Sequence, residues 1–180
     1  MIITVSGHAG SGKSTVAKLL AVRLGFKHYS TGDFMREMAA ELGMSIKDLN
    51  IAAEQDQSID KALDDRQKRL GETEDNFVID SRLGGFFIPK ATKVFLDCDI
   101  DTRIKRTMLD KRTGEKHPSF ESAKKFAVER EGSEEKRYKE FYHFDAYDPT
   151  NYDIVIDTTT IPAEEVVTRI LGVLREEQLI

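Results

Sequence analysis

Gly7-His8-Ala9-Gly10-Ser11-Gly12-Lys13-Ser14 is the stretch whose reading decides the fold. It matches G-x-x-x-x-G-K-[ST], a loop whose main-chain N–H groups cradle phosphate oxygens. Before it, Ile2 to Val5 is a short apolar run, the mark of a buried strand. After it, Val16, Leu19, Leu20 and Leu24 recur at helical spacing, and Gly25 supplies a stop. Strand, loop and helix thus stand in the order the motif requires.

Working outward, short apolar runs recur at 27–30, 77–80, 93–97 and 152–157, each separated by amphipathic stretches. Helices are expected after Thr31 or Asp33 to about Leu42, after Ser45, over 58–70, 100–112, 119–131 and 133–143, and after Pro162. Apolar strands alternating with amphipathic helices predict an α/β fold of three layers. Its five-stranded parallel sheet lies between helices, as in P-loop NTPases. Such sheets bind ligands beyond the carboxyl ends of their strands. Ser6-Gly7, Asp80-Ser81-Arg82 and Asp97 are expected to meet there.

The 180 residues are read as one domain. Composition excludes several classes. Hydrophobic residues make up 39% and charged residues 33%, which argues against disorder. A net charge of −5 argues against a uniformly basic nucleic-acid binder. Cys98 alone cannot build a disulfide framework and suits a reducing, cytoplasmic setting. No apolar run is long enough to span a bilayer, and no secretory signal is read at the N-terminus. Charge is unevenly spread: residues 103–139 hold 12 Lys/Arg against 7 Asp/Glu, which suggests a local polyanion site.

Each residue type in the loop has a physical task. Gly7, Gly10 and Gly12 permit backbone angles that let successive N–H groups curl around an anion, with His8, Ala9 and Ser11 lending main chain. The helix start at Ser14-Thr15 adds unpaired N–H groups. Lys13 bridges the terminal phosphates, and Ser14 offers a hydroxyl to Mg²⁺. A carboxylate ending a later strand can hold that ion's water shell. Asp80 and Asp97 both fit the pattern, and Arg82, two residues on, favours Asp80. No N-K-x-D element is found for guanine. Two polyphosphates brought together need several cations, and arginine's planar fork suits phosphate. Arg36, Arg82, Arg103, Arg106, Arg112, Arg130 and Arg137 are the candidates.

The loop, Ser30-Thr31-Gly32-Asp33-Phe34-Met35-Arg36 and Asp80-Ser81-Arg82 together resemble the nucleoside monophosphate kinases. Residues 57–67 and 129–157 narrow the resemblance to the short, archaeal-type cytidylate kinases. The resemblance implies transfer of the γ-phosphoryl of ATP, with Mg²⁺, to CMP or dCMP. It implies that Thr31 and Arg36 face the acceptor and that Arg82 holds its phosphate. Arg130 and Arg137, on a lid at about 107–131, would span both phosphates. Arg106, with or without Arg103, would lie against adenine or the donor phosphates. The region 31–72 would bind the acceptor. The chain departs from the family at Ser81, where glycine is usual, and at His8-Ala9, where proline is common. Asp60 and Asp64, one helical turn apart, either accept from the cytosine amino group or lie on a solvated face. The aromatic run Tyr138, Phe141, Tyr142, Phe144, Tyr147 and Tyr152 reads better as sheet-edge packing than as base stacking. Two other classes stay open. One is a kinase for AMP, UMP, dTMP or a small alcohol, with Asp33 as base in the alcohol case. The other is a nucleotide-dependent switch. The expected partners are small molecules, with neither nucleic acid nor membrane, and the expected state is a monomer.

Overall fold

A computed structural model of the chain describes residues 1–109 and 117–180. Residues 110–116, which include Arg112, Gly114 and part of the expected lid, lie outside the described residues. Five parallel strands form one sheet: β1 (Ile2–Gly7), β2 (Lys27–Ser30), β3 (Phe77–Asp80), β4 (Thr92–Asp97) and β5 (Ile154–Asp157), in the order β2-β3-β1-β4-β5. β1 lies between β3 and β4, so strand order reverses beside it, and a crevice opens at its carboxyl end. Register fixes what meets there. Val5 is opposite Asp80, Ser30 is opposite Asp80, and Gly7 is opposite Leu96.

Alternation along the strands builds two cores, one on each face. Ile3, Val5, Val78, Val94 and Leu96 point toward α1 (Lys13–Leu24) and α8 (Ala163–Glu176), where Leu20, Val167, Ile170 and Leu174 are fully buried. Ile2, Phe77 and Ile79 point the other way, toward α2 (Thr31–Glu41), α4 (Gln57–Thr73) and the short α5 (Gly84–Phe87). Burying one such side chain is worth about 1.5–3 kcal/mol, so these two layers hold the sheet edge that carries the site. α3 (Ile46–Gln55) opens with the capping geometry expected of Ser45, whose Oγ accepts from the Asp48 N–H at 3.1 Å. No helix among the described residues is long and apolar enough to cross a membrane.

Three local expectations are corrected. α2 starts at Thr31 with Ser30 in the capping position, and neither Thr31 nor Asp33 caps it. The Ser30 hydroxyl instead donates to Asp80 Oδ1 at 2.7 Å, and Thr31 Oγ1 to the Asp80 carbonyl at 3.3 Å. After α6 (Ile100–Leu109), the two helices expected at 119–131 and 133–143 are one 23-residue helix, α7 (Phe120–Tyr142). Gly132 costs that helix about 1 kcal/mol. Ion pairs one turn apart, Lys125–Glu129, Arg130–Glu134 and Lys139–Glu135, run through the glycine and offset part of that cost. α5 escaped sequence reading because four residues show no period.

Candidate functional site

The loop from Gly7 to Ser14 closes against its neighbours rather than standing free. Gly7 (φ 137°) cannot carry a side chain, since a Cβ would sit 2.4 Å from the Leu96 carbonyl oxygen. Gly10 (φ 82°) meets the same limit against the Arg103 carbonyl at 2.5 Å. The loop is therefore pressed on β4 and α6, which sets its curvature. Thr158 Oγ1, at the end of β5, donates to the Ser11 carbonyl at 2.9 Å and fixes the loop from below. Lys13 donates to the His8 carbonyl at 2.7 Å across the loop mouth. Enclosure and the nearby Arg82 charge pull the Lys13 ammonium down to about 7, although Asp80 and Glu134 act the other way. Thr15 lies exposed on the first turn of α1.

Beside the loop, Asp80 is buried at the end of β3. Burial disfavours its charge, but hydrogen bonds from His28, Ser30 and Ser14 outweigh this and hold it below the usual carboxylate range. Asp97 is exposed, and its Oδ1 accepts from the Cys98 N–H at 2.8 Å. Of the two strand-end carboxylates, Asp80 is the one in contact with the Ser14 hydroxyl. Ser14 and Asp80 thus place a hydroxyl and a carboxylate against the loop, with His28 Nε2 3.4 Å from Asp80 Oδ2 behind them.

Across from the loop, a cavity of about 310 Å³ lies between α2, α4 and α7. One wall is cationic: Arg36, Arg82, Arg130 and Arg137 line it. The opposite wall is α4, which contributes Asp60, Asp64 and Gln67, with Tyr138 and Tyr142 of α7 closing the end. Of the expected acceptor-side residues, Thr31, Arg36, Asp60, Asp64 and Arg82 line the cavity; Asp33 does not, and pairs with Arg36. Asp60 and Asp64 do not form a solvated face. Asp64 is 9% exposed, its Oδ2 accepting from the Tyr142 hydroxyl at 2.6 Å, and Asp60 lies 3.8 Å from Arg137. The aromatic run does pack, as Tyr138, Tyr142 and Phe144 sit on the α4–α5 core, yet Tyr138 and Tyr142 face the cavity as well.

Sequence reading missed the carboxylates that hold the cations. Glu134, 6% exposed, receives Arg82 Nε at 3.0 Å, Arg130 Nε at 3.1 Å and the Tyr147 hydroxyl at 2.7 Å. Its burial opposes ionisation, and the Arg82 and Arg130 charges overcome that and keep it ionised. Glu131 links His8 Nδ1, at 3.2 Å, to Arg103. Burial opposes its charge too, but hydrogen bonds from His8 and Arg103 bring it to about 2. His8 lends more than backbone: its ring stacks on Tyr147 with centroids 4.3 Å apart. Arg103, read as a possible contact for the donor nucleotide, is committed inward to Glu131, the Cys98 carbonyl at 3.2 Å and the Ala9 carbonyl at 3.4 Å. Arg106 lies on the turn after β5, donating to the Thr158 carbonyl at 2.7 Å. The i, i+4 spacing of Arg130 and Glu134 was the one signal that could have exposed Glu134 beforehand. Tyr147 carried only its place in the aromatic run, and Gln67 only its place in the 57–67 stretch.

A phosphate loop at the switch point of a parallel sheet, facing a cation-walled cavity, defines the class of P-loop phosphotransferases. Relatives narrow that class. The Cytidylate kinase-like family matches residues 2–160. A cytidylate kinase of Archaeoglobus fulgidus is 37% identical over 180 residues, spanning 99% of this chain and 97% of the relative. One from Thermoplasma volcanium is 40% identical over 180 residues, spanning 98% and 92%. The chain belongs to the cytidylate kinase-like family. Among solved structures, a shikimate kinase from Aquifex aeolicus superposes with a TM-score of 0.64 at 24% identity, covering 99% of both chains, and this likeness speaks to fold alone.

Proposed function

We propose that the chain transfers the γ-phosphoryl group of ATP to the phosphate of cytidine monophosphate, ribo or deoxy, giving ADP and the diphosphate. One observation carries the reading. Arg82, which lines the cavity with Arg36, Arg130 and Arg137, lies close enough to Lys13 of the loop to lower its pKa. Two anion sites that feel each other's charge are what direct phosphoryl transfer between two phosphates requires. The relatives' names supply the choice of cytidylate.

The acceptor oxygen is already anionic near neutral pH, so no general base is called for. Asp33, the base a small alcohol would need, is occupied with Arg36. Loop amides and Lys13 would take the β and γ phosphates of the donor. Arg82, oriented by Glu134 through Nε, would hold the acceptor phosphate and the charge that develops between them. Arg130, tied to the same carboxylate, and Arg137 would flank the transferring group. Arg106, beside the Thr158–Thr159 turn, would border the donor base. The corner formed by Ser14 and Asp80 suits a hard cation held mostly by water and phosphate oxygens. When bound there, Mg²⁺ supplies neutralisation of donor phosphate charge. Of the described part of the lid region, 107–109 end α6 and 120–131 belong to α7, whose Arg130 lines the cavity.

A coupled ADP-release assay with CMP, dCMP, UMP, AMP and dTMP tests the reading. CMP or dCMP should stimulate release well above the rate with ATP alone. No stimulation by any monophosphate would favour a switch instead.

Lys13 makes a second expectation measurable. Its folded pKa, about 7, lies below the ordinary lysine value of 10.5 that the unfolded chain keeps. Between these values the unfolded chain binds more protons, so the nucleotide-free protein gains stability as pH rises through that window. A bound polyphosphate restores the ammonium. Binding of Mg-ATP at pH 8 should therefore take up a fraction of a proton, measured by calorimetry in buffers of contrasting ionisation enthalpy. Binding with no proton uptake would show that Lys13 is fully charged beforehand.

A further inference from the structure

The α4 side of the cavity holds two side chains whose hydrogen-bonding directions are fixed by neighbouring protein groups. Gln67, 3% exposed, sits between two such partners. Its Nε2 faces the Leu63 carbonyl at 3.5 Å, an oxygen that can only accept. That sets the amide's sense, so the Ser81 hydroxyl must donate to Oε1, which it does at 2.6 Å. Ser81 itself has little freedom: its N–H donates to the Val5 carbonyl at 3.1 Å and its carbonyl accepts from Ser6 Oγ at 2.6 Å. With Oε1 turned to Ser81 and one N–H to Leu63, Gln67 has its second N–H to offer a ligand. Asp64 is set in the opposite sense. Tyr142 donates to Oδ2, and an ionised carboxylate offers only acceptors. Burial raises its pKa, and the Tyr142 hydrogen bond works against that rise.

We infer that Asp64 and Gln67 read the acceptor's base as an adjacent acceptor–donor pair, and that Ser81 and Tyr142 are the positioning residues that fix this polarity. The inference rests on the monophosphate kinase reading above and deepens it. An anionic phosphate goes to the arginine wall and is repelled by Asp60 and Asp64, so the neutral base is left for α4. A base edge that donates from an exocyclic amino group and accepts at the neighbouring ring nitrogen satisfies both side chains. Cytosine presents that edge through N4–H and N3. Uracil presents the reverse, O4 and N3–H, which would set oxygen against Asp64 and N–H against the Gln67 N–H. A mismatched pair of buried polar groups is a strong basis for rejection.

The test is the ratio of kcat/KM for CMP to that for UMP. Asp64→Asn is isosteric. The Tyr142 hydroxyl would keep the amide oxygen and turn the new NH₂ toward the base. That ratio should fall tenfold or more, with UMP itself used better than by the unaltered protein. Ser81→Ala removes the clamp on Gln67. It should lower the same ratio several-fold, through KM for CMP more than through kcat. If both variants slow CMP and UMP alike and leave the ratio unchanged, the base-reading pair is wrong and these residues are structural. Should Ser81→Ala fail to fold, Asp64→Asn decides alone. The Kd ratio for CMP and UMP, taken by calorimetry, needs no turnover. It therefore separates failure of the base reading from failure of the kinase reading, which inactivity toward every monophosphate would signal.

Discussion

Lys13→Ala is expected to lower phosphoryl transfer by about 10²–10³-fold while leaving the chain folded. Removing one preorganised donor aimed at developing charge costs about that much in enzymes that stabilise anions. In this fold Lys13 is enclosed beside Arg82, and its charge is disfavoured until an anion arrives. Alanine therefore relieves a strained cation in the free protein, and the melting temperature without nucleotide should hold or rise. With ATP present the unaltered protein should be stabilised by ligand and the variant much less so. Rates and melting curves, with and without Mg-ATP, check both halves. A variant with normal turnover would remove the loop from the chemistry.

Arg82→Ala is expected to cost about 10³-fold in transfer, at the low end of what an arginine on a transferring phosphoryl group supplies. The loss should appear more in use of the acceptor than in binding of ATP. Arg82 lines the cavity, whereas the loop binds its anion through its own amides and Lys13. Arg82→Lys should rescue poorly. The guanidinium meets Glu134 through Nε at 3.0 Å and is held above its ordinary pKa by that carboxylate against the pull of burial. An ammonium is a single point and cannot both keep Glu134 and present a fork. The alanine variant also leaves Glu134 with one guanidinium instead of two, and breaking a buried pair costs on the order of 3–5 kcal/mol. Melting should therefore be followed alongside rates. Equal loss of ATP and CMP affinity would move Arg82 away from the acceptor.

Much of this was legible from local pattern. The loop, the strands at 2–5, 27–30, 77–80 and 93–97, and the Gly25 stop each follow from a few adjacent residues, and the structure has them where expected. Asp80 rather than Asp97 was favoured because Arg82 follows it; Asp80 is buried with the Ser30 hydroxyl on its Oδ1, whereas Asp97 is exposed. What escaped depended on chain pairs far apart in sequence. Glu134 reads as one more charge on a charged helix until Arg82, 52 positions earlier, arrives beside it. Gln67 looked like a surface residue until Ser81 closed on it. The expected break in α7 failed for a different reason. Glycine ends a helix only where a left-handed turn is used, and Gly132 has no positive φ.

That unbroken helix has a consequence for how the two substrates sense each other. At 1.5 Å per residue, α7 is a rod about 35 Å long. Glu131, along its length, is tied to His8 of the donor loop, Glu134 grips Arg82 and Arg130, and Tyr142 at its far end touches Asp64. A rigid lever fastened at these stations cannot tilt at one without moving the others. On the proposed reading, filling of the donor cradle and filling of the base cleft would in this way be mechanically geared to one another.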